Sequence, residues 1–71
     1  MIDPADIQEL LNNDRFHAFR ILMSDGNFYE VVDPDMVVAM ENLLFIALPK
    51  TRWKFLSYQN MTAIESRDVA A

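Results

Sequence analysis

Seventy-one residues, 52% of them apolar and 11% aromatic, suffice for one small folded domain and exclude a chain disordered by composition. The absence of cysteine removes disulfides, thiolate metal sites and thiol nucleophiles together. Eleven acidic against six basic residues, a formal charge of −5, favour solubility and argue against nucleic acid as a partner.

A core of this size returns about what ordering the chain costs, at roughly 1.5 kcal/mol per residue. With no disulfide or metal staple, the composition points to a partner chain, hence a homo-oligomer. No apolar run approaches the ~18 residues of a membrane span and no secretory leader is legible, so the expectation is a cytoplasmic protein with no membrane association.

In chain order, the spacing first predicts a helix over 4–12. Asp3 suits the N-cap, Pro4 the first helical position and Asp6 the first turn, where the helix dipole favours negative charge. Ile7, Leu10 and Leu11 form one apolar stripe, and a helix this short must dock that stripe to persist. Asn12 or Asn13 in a left-handed conformation would end it. From Phe16 the chain alternates, with Phe19, Ile21 and Met23 on one strand face and Arg20 and Leu22 on the other. Asp25-Gly26 between two such segments is a strong hairpin signal, and Phe28–Val32 is the return strand. Asp33-Pro34-Asp35 breaks the pattern, because proline cannot donate to a ladder.

Met36–Met40 is the third strand, Glu41-Asn42 a turn, and Leu43–Leu48 a fourth strand with no polar member, whose two faces should both be covered. Pro49–Thr51 turns into Trp53–Tyr58, and Met61–Glu65 is the last strand. The whole is one domain over 1–66, with strands from about 16 to 65 and a polar tail over 67–71. Connections this short exclude parallel crossovers, so the expected fold is mainly β: one N-terminal helix on a strongly bent antiparallel meander of five or six strands. With one glycine in the chain, the bending must come from bulges and turns.

The residues suggest no catalytic, cofactor-binding or metal site. His17 is the sole histidine, so one chain cannot assemble a multi-histidine metal site or a triad. Asp33 and Asp35 could share a cation, but Asp-Pro-Asp is ordinary turn chemistry. Lys50, Arg52 and Lys54 interleave with Trp53 and Phe55. Alternation places cations and aromatics on opposite strand faces, which does not suit a stacking platform for single-stranded nucleic acid.

The chain resembles a family of small uncharacterised bacterial proteins over residues 5 to 66. The resemblance rests on Phe16, Phe19, Arg20 and Ile21, then Asp25-Gly26, Tyr29-Glu30-Val31, Asp33-Pro34-Asp35 and Ile64-Glu65. The family's proline between the two phenylalanines is Ala18 here. This resemblance implies an architecture and no activity. More remotely, the helix and bent meander look like the Sm fold, which includes the RNA chaperone Hfq, or like an SH3-like small barrel. Ile21 to Gly26 is similar to the first Sm motif and Leu56 to Glu65 sits where the second would be. The basic-plus-histidine pair of the Hfq second motif falls on Tyr58 and Gln59, which lack its charge.

Function is accordingly expected to be non-catalytic, an assembly or protein-interaction module forming a homo-oligomer. Leu44, Phe45, Ile46 and Trp53 are the candidates for the interface or the core beneath it. The alternative is an Sm-like RNA-binding ring, whose contacts would be Lys50, Arg52, Lys54, Tyr58 and Gln59; an enzyme with a site shared between subunits is a more distant one.

Overall fold

The computed structural model describes residues 2–67. The expected polar tail, apart from Arg67, lies outside the described residues. Helix α1 (Pro4–Leu11) starts as its sequence dictates. Asp3 has an extended backbone, its N–H donates to Asp6 Oδ2 at 3.2 Å, and the Asp6 N–H donates to the Asp3 carbonyl at 3.0 Å. Its end differs from expectation. Asn12 has φ −93°, and the stop comes instead from Asn13, whose Oδ1 accepts the Arg15 N–H at 2.9 Å and pulls the backbone out of the helical path.

Six strands follow: β1 (Phe19–Met23), β2 (Phe28–Val31), β3 (Val37–Ala39), β4 (Leu44–Leu48), β5 (Arg52–Leu56) and β6 (Met61–Ser66). They are all antiparallel but do not make the single meander that the short connections suggested. β2-β1-β6 form one three-stranded sheet and β3-β4-β5 another. Two local breaks cause the division. Pro34–Met36 forms a 3₁₀ turn capped by Asp33, whose Oδ1 accepts the Asp35 N–H at 2.9 Å. The aspartates around Pro34 thus serve the turn. A second 3₁₀ turn, Tyr58–Asn60, diverts the chain from β5, and β6 returns to pair with β1. Opposite Leu22 and Met23 the β1–β6 register shifts at a bulge, so curvature is supplied without glycine.

The β1–β2 hairpin closes over Ser24–Gly26, one residue longer than an Asp-Gly two-residue turn. Met23 pairs with Asn27, and Gly26 sits at φ +90°. That is the loop class in which a turn is followed by a left-handed residue, and only glycine adopts it without strain.

The two sheets and the helix share one core. β1 and β2 contribute Phe19, Ile21 and Val31; β3, β4 and β5 contribute Val37, Leu44, Ile46 and Leu56. Ile7 enters from the helix, Tyr58 from the last connection and Met61 from β6. The helix stripe is narrower than its spacing implied: Ile7 is fully buried and Leu11 packs on the core, but Leu10 is 37% exposed. Gln8 ties the helix to β3 by donating to the Ala39 carbonyl at 3.1 Å. No helix among the described residues is long and apolar enough to cross a membrane.

Candidate interaction surface

The outer faces of the two sheets differ sharply in chemistry. On β2-β1-β6 the outward face carries charged residues that pair with one another beside Leu22, Phe28 and Ala63. Arg20 Nη2 meets Glu30 Oε2 at 3.0 Å, Arg20 Nη1 meets Glu65 Oε1 at 3.3 Å, and Arg67 Nε meets Glu30 Oε2 at 3.2 Å. The guanidinium of Arg20 also lies 4.8 Å from the centre of the Phe28 ring. The hydrogen bond from Arg20 holds the Glu30 carboxyl below the usual carboxylate range, against the opposing effect of burial.

On β3-β4-β5 the outward residues are apolar. The register sets Phe45 opposite both Val38 and Phe55, and Ala47 opposite Trp53. Since side chains alternate along a strand, all five share one face, while Val37, Leu44, Ile46 and Leu56 take the other and enter the core. Three aromatics form a cluster. The Trp53 and Phe55 rings are 5.4 Å apart edge to face, Phe45 and Phe55 5.8 Å, and Phe45 and Trp53 6.3 Å in a stacked arrangement. Such pairs contribute ~0.5–1.5 kcal/mol each beyond their buried area, which favours this clustered arrangement of the rings. Trp53 is nevertheless 60% exposed, Val38 53% and Phe55 52%.

The expectation that both faces of the fourth strand are covered is therefore met on one face only within the chain. Of the four interface candidates, Leu44 and Ile46 are core residues with no exposure, whereas Phe45 and Trp53 stand on the outer platform. Val38 and Phe55 complete it. Phe55 was legible as a strand neighbour of Trp53, but residues 36–40 are all apolar and show no alternation, so the face of Val38 is read only from the β3–β4 register.

The five cations and polar groups suggested for RNA are scattered. Lys50 and Arg52 are exposed at the β4–β5 hairpin. Lys54 turns to the opposite strand face, where its ammonium donates to the Tyr29 hydroxyl at 2.9 Å; that hydrogen bond raises its pKa. Tyr58 is buried, with its hydroxyl donating to the Met40 carbonyl at 2.6 Å, and burial raises its pKa as well. Its ring is not presented to a base. Gln59 is exposed in the 3₁₀ turn beyond the far end of β5 from Lys50, separated by a strand of roughly 15 Å.

Among the described residues, no group of three or more histidine, cysteine, aspartate or glutamate side chains could hold a metal ion. His17 is exposed. No family model, curated protein or solved structure matches the chain.

Proposed function

We propose that the chain is a non-catalytic assembly or protein-interaction module that forms a homo-oligomer through the outer face of β3, β4 and β5. One observation carries the reading: an aromatic platform of Phe45, Trp53 and Phe55, flanked by Val38, stands largely open to solvent. A contiguous apolar face of this kind marks an interaction site in soluble proteins. A second copy of the chain presents the same platform, so two-fold packing covers both at once. The fold we infer is a strongly bent small barrel of the Sm-like or SH3-like kind. Its support is the order of pairing: the first strand lies between the second and the last, a proline corner divides β2 from β3, and a 3₁₀ turn precedes β6.

Sedimentation across the micromolar range is the test, with a discrete oligomer expected. Trp53→Ser removes an exposed ring that the core does not need. It should leave the circular dichroism unchanged while weakening association by about 2 kcal/mol or more, roughly 30-fold. A well-folded 8.3 kDa monomer at every concentration overturns the reading. The RNA-binding ring is the second reading, favoured by Lys50 and Arg52 standing exposed in the same hairpin as Trp53. It requires RNA capture that falls steeply as salt rises. A pull-down showing no RNA even at low salt removes it.

A further inference from the structure

We propose that the groove between α1 and the outer edge of β6 binds an extended peptide segment, alternating apolar and basic side chains, that adds a strand to the β2-β1-β6 sheet. This surface belongs to the other sheet from the aromatic platform, and the inference does not rest on self-association. β6 is an edge strand: among the described residues, nothing pairs with the side away from β1. Its register sets Arg20 opposite Glu65 and Leu22 opposite Ala63, and the Arg67 N–H donates to the Ala18 carbonyl at 3.0 Å. In an antiparallel pair the bonded residues alternate, so residues 63, 65 and 67 turn their backbone groups to β1. Ile64 and Ser66 turn theirs to the free edge. Those unpaired donors and acceptors are a template for a further strand.

Edge strands are commonly blunted by proline, lysine or a covering element. Here the edge opens onto a groove of about 540 Å³ whose walls include Ile2, Leu10, Phe19 and Ile64. This accounts for Leu10, which has the helical spacing of a core residue yet remains 37% exposed. It forms a wall of the groove instead of part of the core. The charge of the rim selects the partner. Asp6 and Glu9 line the groove from the helix side, while Glu65 on the strand side is already paired with Arg20 at 3.3 Å. The chain as a whole carries −5, which repels acidic segments. Backbone pairing would supply affinity, the apolar walls would take alternate side chains, and the Asp6 and Glu9 carboxylates would favour lysine or arginine between them.

The test uses a fluorescein-labelled peptide alternating valine and lysine, compared with its valine–glutamate counterpart by anisotropy. The valine–lysine peptide should bind about tenfold more tightly, with a preference that shrinks as salt rises. Glu9, which makes no ion pair among the described residues, reports the rim: Glu9→Lys should erase most of the preference. Ser66→Pro removes an outward N–H while leaving the β1 ladder intact, and should abolish binding at unchanged thermal stability. Should that variant fold poorly, a probe N-methylated at alternate residues serves the same purpose and should not bind. In hydrogen exchange, the Ile64 and Ser66 amides should gain protection only when the valine–lysine peptide is present. Equal binding of the two peptides, indifference to Glu9→Lys, or tight binding of the N-methylated probe overturns the proposal. So does protection of Ile64 and Ser66 that rises with protein concentration alone, which would assign the edge to a second copy.

Discussion

Replacing Ile7 with alanine probes how an eight-residue helix is held to a β core. The side chain has no exposure and touches a cluster drawn from both sheets. Alanine removes three carbons, worth ~0.8 kcal/mol each in transfer, or about 2.4 kcal/mol, and the cavity left behind adds to this. Helix propensity returns only a few tenths of a kcal/mol, since alanine outranks the β-branched isoleucine. The net expectation is a loss of ~3 kcal/mol, a large share of what a domain this size possesses. Leu10→Ala removes as many carbons from a side chain already 37% exposed and leaves no closed cavity, so it should cost about half as much. Urea unfolding followed by the fluorescence of Trp53, with circular dichroism at helix wavelengths recorded in parallel, separates the two substitutions. If the helix undocks before the sheets unfold, the two signals will part in Ile7→Ala while coinciding in the natural chain. Equal costs for Ile7→Ala and Leu10→Ala would refute the assignment of the docking face.

Three further outcomes follow from the geometry. Gly26→Val should destabilise by ~1–3 kcal/mol through backbone strain alone, because φ is +90° and a Cβ there would meet nothing within 4 Å; Gly26→Asn should be milder, and thermal melts of the pair check this. Thr51→Gly should raise the melting temperature, by an amount equivalent to ~1 kcal/mol, because a β-branched residue sits at φ 59° beside Lys50 at φ 64°; a lower melting temperature would count against strain in this turn. The Glu30 carboxyl is held below its ordinary value, so its interaction with Arg20 stabilises the fold fully above the unfolded-state carboxylate pKa and is lost as pH falls through the lower folded-state value. Glu30→Gln should therefore flatten the acid limb of a stability–pH profile measured by denaturant, and an unchanged limb would count against the pair.

The parts of the fold that were legible are those written in adjacent residues. Asp3 and Pro4 open the helix, Asp25-Gly26 marks the first hairpin, and Asp33-Pro34-Asp35 makes a corner through a side-chain bond two residues long. What local patterning could not reveal is pairing over distance. The return of β6 to β1 joins Arg20 to Glu65 and makes two sheets where neighbouring strands alone suggested one meander. Burial was misjudged where a residue's role depends on such pairing. Leu10 has core spacing but faces a groove, and Tyr58, grouped with surface polar residues, anchors two chain segments by donating toward the Met40 and Leu43 carbonyls. The Pro49–Thr51 turn offered no glycine to announce left-handed backbone; closing the hairpin from Leu48 to Arg52 over three residues requires it. For the interaction surface, Phe45 and Trp53 could be named from apolar runs, whereas their separation from Leu44 and Ile46 required knowing which face the core occupies.

The pairing of β6 with β1 also sets an order of events during synthesis. The β1–β2 and β3–β4–β5 hairpins join residues close in sequence and can form as soon as they emerge from the ribosome. β1, in contrast, waits for a partner 45 positions downstream at Arg20 and Glu65, and the loop closed by that capture costs more entropy than either hairpin. Until residues 61–66 emerge, the nascent chain carries an open strand bearing Phe19 and Ile21, whose side chains have nowhere complete to pack. A chain interrupted before Met61 is therefore left with one edge of β1 unpaired and Phe19 and Ile21 incompletely covered, an adhesive surface.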